Sequence, residues 1–155
     1  MSLPPFQTVL EEHREDVLRF LTASIGRQEA DDVFQETFLA ALRAYPRLKR
    51  ADNLRGWLLK IASRKAIDAH RARKRAPVPA EHVDPGAAPP ASSALPDEAL
   101  WEAVRALPDR QRTAVVLRFT FDLAYRELGD VMDSSEEAAR RNVFKGLKKL
   151  REEYR

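Results

Sequence analysis

Apolar residues recur every three or four positions along the first 75 residues, which is the spacing that lines one face of an α-helix. A first helix is predicted to open at Pro4-Pro5, because proline is tolerated in a first turn, and to stop at Gly26. A second helix is predicted from Glu29 to Tyr45, before Pro46. The inward-facing residues expected for these two helices are Phe6, Val9, Leu10, His13, Val17, Leu21, Ile25, Phe34, Phe38, Ala41, Leu42 and Tyr45.

A third predicted helix follows a polar, basic loop, and either Asp52 or Asn53 can cap its start. The helix ends in the basic run at 70–75. A solvated, frayed helix end is the ordinary explanation of such a run, and a phosphate-binding patch is the alternative. The inward-facing residues expected for this helix are Leu54, Trp57, Leu58, Ile61 and Ala62.

The composition changes abruptly between Ala76 and Pro96, a segment with six of the ten prolines and no lysine or arginine. Such a segment is typical of an extended linker without a core of its own. The pattern therefore predicts an all-α protein with two small helical domains, at 1–75 and 97–155, joined by an acidic, Pro-rich linker. The second domain should open with helices at Glu98–Leu107 and from Pro108-Asp109 to about Phe121.

The stretch from Leu123 to Leu150 is predicted to form a helix-turn-helix. A short apolar face at Ala124, Leu128, Val131 and Met132 precedes a turn at Asp133-Ser134-Ser135 and a longer helix. Ser134 with Glu137 fits a capping box, and Ser135 is equally suited as the cap. Two helices joined by so short a turn are typical of DNA-binding proteins, in which the N-terminal part of the second helix enters the major groove.

One face of that second helix is apolar and the other is basic. No acidic residue lies between Ala138 and Arg151, and Phe144 falls within the cationic stripe. Arginine forks can read guanine edges and an apolar group can touch a thymine methyl, although a solvated basic face is the ordinary explanation. The apolar face comprises Ala139, Val143, Gly146, Leu147, Leu150 and Tyr154, and the basic face comprises Arg140, Arg141, Phe144, Lys145 and Lys148.

Composition narrows the function classes. The chain has no cysteine, and its three histidines are too far apart to suggest a metal site. No apolar run has the length of a membrane span, and the N-terminus lacks the order of a signal peptide. No nucleophile or carboxylate pair has the setting that catalysis needs. We therefore expect a cytoplasmic protein without membrane insertion, cofactor or enzymatic activity.

Several segments together resemble one protein family. Asp32–Phe38 (DVFQETF), Leu54–Ala62 (LRGWLLKIA) and Ala66–Asp68 (AID) resemble domain two of bacterial RNA polymerase sigma factors. Leu107–Thr113 (LPDRQRT) and Leu123–Leu128 (LAYREL), with the basic helix, resemble their domain four. Two such domains with so little between them are typical of the extracytoplasmic-function (ECF) group.

The resemblance implies a role for each exposed cluster, with core RNA polymerase and promoter DNA as partners. The polymerase-binding residues would be Asp32, Gln35, Glu36 and Phe38. Those at the minus-ten element, where one base is captured and the DNA opens, would be Lys49, Arg50, Asp52, Asn53, Arg55, Arg64, Lys65 and Arg71. Those at the minus-thirty-five element would be Ser135, Arg140, Arg141, Phe144, Lys145 and Lys148.

The resemblance also has departures and leaves alternatives. Ala124 stands where a capping serine is usual, Asp133 where glycine is common, and Arg141 where serine is frequent. Members of the group are often held by an anti-sigma factor, so one is a further candidate partner. The alternatives are a helix-turn-helix regulator that does not engage polymerase, and a helical adaptor whose basic faces bind a protein. The segments at 32–38 and 49–75 discriminate between these interpretations, because a simple regulator needs neither.

Overall fold

A computed structural model describes residues 3–50, 52–75 and 96–153. Its elements there are seven α-helices and one short 3-10 helix, which confirms the all-α prediction. Residues 76–95 of the predicted linker lie outside the described residues, as does Tyr154. No helix in the described part of the chain combines the length and the hydrophobicity of a membrane span.

The first three helices form an N-terminal bundle in which each packs against the other two. Helix α1 spans Phe6–Ile25, α2 spans Arg27–Ala44, and α3 spans Leu54–Arg75. Gly26 separates α1 from α2 with φ of 90°, a conformation that residues with a Cβ rarely adopt, which explains the sharp break between them. At α3 the choice of cap is settled, because the Gly56 N–H donates to Asn53 Oδ1 at 3.0 Å.

The core of this bundle follows the predicted periodicity with one clear exception. Val9, Val17 and Leu21 are buried, and Leu58 is fully inaccessible. Leu42 is 50% exposed, so its predicted inward position is wrong. Ala41 and Tyr45 take the core-facing positions of that turn, and Leu42 lies about 100° further round the helix than Ala41. An aromatic cluster joins α1, α2 and α3 and comprises Phe6, Phe34, Phe38, Tyr45 and Trp57.

The remaining four helices form a C-terminal bundle. Helix α4 spans Pro96–Arg105, α5 spans Asp109–Phe121, α6 spans Tyr125–Val131, and α7 spans Glu136–Glu153. Helix α7 lies against both α5 and α6. The buried side chains that hold this bundle together include Val104, Leu107, Val116, Leu117, Leu128, Met132, Ala139 and Val143.

The two bundles pack against each other, an arrangement that the sequence pattern left open. Helix α1 contacts α4 and α5, and α3 contacts α6. Because α6 is the first helix of the helix-turn-helix, this packing places the turn between α6 and α7 beside the basic helix α3.

Candidate nucleic-acid interface

The turn between α6 and α7 is fixed by backbone hydrogen bonds and one side-chain cap. The Ser134 N–H donates to the Gly129 carbonyl at 2.8 Å. Ser135 Oγ accepts the Ala138 N–H at 3.0 Å, so Ser135 is the cap of α7 rather than Ser134. At the start of α6, the Ala124 N–H donates to the Glu127 carboxylate at 3.2 Å. Only this half of a capping box exists, because alanine has no side-chain acceptor.

Helix α7 presents the predicted basic face to solvent. Arg141, Lys145 and Lys148 are exposed, and Phe144 is 58% exposed in their midst. The opposite face is buried at Ala139, Val143, Gly146 and Leu150, which confirms the predicted orientation of the helix. An exposed phenylalanine is costly to solvate and contributes nothing to this core, so the face is suited to contact with another surface.

The predicted minus-ten residues divide into two groups in the structure. Lys49, Arg50, Asp52 and Asn53 lie exposed in the loop before α3, and Lys65 is half-buried. Arg64 and Arg71, further along α3, face the C-terminal bundle. The predicted set is therefore divided between an exposed loop and exposed side chains that are ion-paired to the C-terminal bundle.

Arg64 is held by the helix-turn-helix itself. Its guanidinium forms an ion pair with Asp133, and Lys60 Nζ lies 3.1 Å from the other oxygen of the same carboxylate. The hydrogen bonds from Arg64 and Lys60 hold the pKa of Asp133 below its usual value. Asp133 has a positive φ of 53°, which costs strain in a residue other than glycine. From this backbone position the Asp133 carboxylate contacts Lys60 and Arg64 of α3.

A second polar contact joins the bundles at Asp109, the first residue of α5. Its Oδ2 lies 3.0 Å from Arg71 Nε, and its Oδ1 lies 2.9 Å from an Arg112 guanidinium nitrogen. Burial raises the pKa of Asp109, but the hydrogen bonds from Arg112 and Arg71 outweigh burial and hold it below its usual value. The carboxylate therefore stays charged and ties α3 to the start of α5.

Arg112 is a structural residue that the sequence pattern did not single out. Its side chain is only 1% exposed, and it donates to the Leu107 carbonyl at 3.0 Å as well as to Asp109. Its charge suggested a surface position, and only its place in the Leu107–Thr113 segment offered a signal of importance. The arginine locks the turn between α4 and α5.

His70 of α3 lies at the contact between the bundles, with its Nδ1 3.8 Å from Asp109 Oδ1. Burial lowers its pKa, Arg112 and Lys74 lower it further by repulsion, and Asp109 opposes them. A lowered pKa means that the folded state favours neutral imidazole, so the stability it contributes is complete above about pH 6.5 and is lost as the pH falls through the folded-state pKa. As the pH falls from about 7.5 to 5.5, we expect the free energy of unfolding to decrease less in His70→Gln than in the wild type. Urea denaturation at each pH measures it. Equal losses would exclude His70 as the source.

The predicted polymerase-binding residues lie on α2. Asp32, Gln35 and Glu36 are exposed. Phe38 is 6% exposed and packs on Phe34, with ring centroids 4.7 Å apart, so its side chain has almost no free surface for a partner.

Two exposed leucines extend the same face of α2. Leu39 and Leu42 are each about half exposed and continue the stripe that Gln35 begins. The sequence pattern missed this apolar surface because it assigned Leu42 to the core. Leu42 falls outside the periodic positions of Ala41 and Tyr45, and that departure could have indicated its exposure.

The geometry is that of a DNA-binding protein with a helix-turn-helix and a second helical bundle that carries an exposed acidic and apolar face. The chain matches the family models for sigma-70 region 2 over residues 9–76 and sigma-70 region 4 over residues 97–150. It is 35% identical to the ECF RNA polymerase sigma factor SigD of Mycobacterium tuberculosis, covering 94% of this chain and 74% of SigD. It is 32% identical to the RNA polymerase sigma factor CarQ of Myxococcus xanthus, covering 95% and 87%.

Solved structures agree in fold. The sigma factor RpoE of Bartonella quintana, in complex with the anti-sigma factor NepR, has a TM-score of 0.73 at 19% identity over 97% of this chain and 96% of RpoE. CnrH, in complex with the cytosolic domain of CnrY, has a TM-score of 0.68 at 22% identity over 94% and 84%. The chain belongs to the ECF RNA polymerase sigma factors. Its function is to direct transcription initiation by RNA polymerase, and it is not an enzyme.

Proposed function

We propose that this sigma factor recognises the minus-thirty-five element through the exposed face of α7. The residues assigned to this contact are Ser135, Arg140, Arg141, Phe144, Lys145 and Lys148. The observation that carries the assignment is the exposure of Phe144 among cations on the helix that follows the turn. Cations there can bind phosphates and read guanine, while the phenyl ring can contact a thymine methyl.

We assign the minus-ten element to the loop before α3 and to α3 itself. Lys49, Arg50, Asp52 and Asn53 supply the exposed loop surface. Arg55 lies beside Asp16, at 3.8 Å. The remaining members are Arg64, Lys65 and Arg71. Arg64 and Arg71 are ion-paired with Asp133 and Asp109 of the C-terminal bundle, so phosphate competes with these carboxylates for part of each guanidinium.

Core polymerase is proposed to bind the exposed face of α2. Asp32, Gln35 and Glu36 supply its polar part, and Leu39 and Leu42 add apolar area that gains free energy when it is buried. Phe38 supports this surface from beneath by packing on Phe34.

In vitro transcription tests the proposal as a whole. Core RNA polymerase is combined with a genomic fragment library, with and without this chain, and the start sites are sequenced. New start sites that share two upstream elements are expected. Start sites that depend on the chain but share no upstream elements would contradict the assignment of two DNA elements to α7 and to the α3 region.

Separate substitutions should divide DNA binding from polymerase binding. Arg140→Ala or Arg141→Ala is expected to cost about 1–3 kcal/mol of promoter binding if that arginine contacts a base, and to leave polymerase affinity unchanged, since α7 and α2 lie in different bundles. Gln35→Ala combined with Glu36→Ala is expected to do the reverse. Fluorescence anisotropy with labelled promoter DNA and with labelled core polymerase measures the two affinities. Equal loss of both affinities in either variant would indicate misfolding and contradict the division.

An anti-sigma factor is also proposed as a partner, and the cytoplasm as the location. The supporting observation is the shared fold with RpoE, which was solved in complex with the anti-sigma factor NepR. A cytoplasmic site of action fits a protein whose proposed partners are polymerase and promoter DNA.

A further inference from the structure

The two adjacent arginines of α7 have different surroundings. The side chain of Arg140 is 43% exposed, and its guanidinium carbon lies 4.9 Å from the centroid of the Tyr125 ring. Arg140 also forms an ion pair with Glu136, one turn earlier in α7, at 3.2 Å. Arg141 is exposed and has no ion pair among the described residues. Of the two arginines, only Arg140 is therefore restrained, by Tyr125 and by Glu136.

Tyr125 is itself held in place. The Arg118 guanidinium lies 4.3 Å from the centroid of the same ring and donates a hydrogen bond to the Leu123 carbonyl. That carbonyl lies just before α6, the helix that Tyr125 begins. The ring thus contacts Arg118 near the C-terminal end of α5 as well as Arg140 of α7.

A restrained guanidinium is better suited to base recognition than a free one. Arginine reads guanine through two parallel hydrogen bonds, which require the guanidinium plane to have one orientation. A free arginine loses rotamer entropy when it adopts that orientation, whereas a stacked arginine has already lost part of it. A stacked arginine therefore favours the matching base over other contacts. A mobile arginine binds almost any phosphate equally well.

We propose that Tyr125 is a positioning residue that gives Arg140 its base preference within the minus-thirty-five element. The inference rests on the proposed assignment of Arg140 to that element. Tyr125 acts through the face of its ring, and its hydroxyl is not required. Arg141, which lacks this support, contributes affinity with little base preference.

The test uses holoenzyme reconstituted from core polymerase and the full chain. Its promoters carry each of the four base pairs at every position of the upstream element. The wild type is compared with Arg140→Ala to find the base pair whose preference depends on Arg140, about fivefold or more for a bidentate contact. Tyr125→Leu is expected to reduce that preference to about twofold, whereas Tyr125→Phe, which keeps the ring, is expected to retain it. In the Arg140→Ala background, Tyr125→Leu should cause no further loss of preference.

Three results would overturn the inference. If no base preference depends on Arg140, the assignment of Arg140 to base reading fails and the role of Tyr125 fails with it. If Arg140→Ala loses a preference that Tyr125→Leu keeps, the assignment of Arg140 stands and the positioning role alone is excluded. If Tyr125→Phe and Tyr125→Leu weaken all promoters equally without changing the preference, the hydroxyl binds phosphate and does not act through Arg140.

Discussion

An Arg112→Ala variant is expected to destabilise the C-terminal bundle by about 3 kcal/mol, the low end of the range for breaking a buried ion pair. The side chain is almost fully buried and bonds both to the Leu107 carbonyl and to Asp109. Alanine leaves a cavity and removes the donor from a buried carbonyl, and each change carries its own cost. Arg112→Met fills most of the same volume without the hydrogen bonds, so it should fall between alanine and the wild type.

The two tryptophans permit a measurement on each bundle separately. Trp57 lies in α3 and Trp101 in α4, so one reports on the N-terminal bundle and the other on the C-terminal bundle. Urea denaturation is followed by fluorescence in Trp57→Phe and Trp101→Phe backgrounds. The Arg112→Ala shift should be large for Trp101 and small for Trp57. A shift confined to Trp57, or no shift for Trp101, would contradict a structural role for Arg112 in the turn between α4 and α5.

Gly129→Ala is expected to weaken promoter binding by more than tenfold, about 1.4 kcal/mol, and to leave polymerase binding intact. An added Cβ would lie 2.8 Å from the Ser134 carbonyl oxygen and 3.0 Å from that of Ser135. Both atoms belong to the backbone of the turn, and the turn is tied to Gly129 by the Ser134 N–H. Relief of the clash must therefore move the start of α7, with an overpacking cost of about 1–3 kcal/mol.

A matched substitution separates this effect from a general change in α6. Asp130→Ala alters the next residue, which is exposed, and removes a negative charge that can only repel DNA. It should bind promoter DNA at least as tightly as the wild type in the same anisotropy assay. Promoter binding by Gly129→Ala at the wild-type level would show that the angle between α6 and α7 tolerates the added methyl group.

Local features of the sequence accounted for much of the fold. The periodicity of apolar residues predicted the long helices, and the orientation of α7 is confirmed by the burial of Val143 and the exposure of Phe144. The choice between Ser134 and Ser135 as cap could not be made in advance. Both are good caps, and the choice depends on where the turn places the first free N–H groups of α7.

The sequence predicted which residues belong to each candidate site, but not which of them form ion pairs in the fold. The predicted minus-ten residues included Arg64 and Arg71, and charge alone suggested that both were free to bind phosphate. Their partners Asp133 and Asp109 lie 69 and 38 residues away along the chain. No local pattern reveals such pairs, because they depend on how the two bundles pack against each other.

The sequence by itself determined the helices, their buried faces and the family to which the chain belongs, because these depend on residue spacing and on short motifs. Tertiary structure alone decided that Arg112 is buried, that Leu42 is exposed, and that Tyr125 stacks on Arg140. The physical reason is the same in each case. Burial and side-chain contacts are set by how the helices and turns pack around a side chain, and the spacing of residues within one helix does not show that packing.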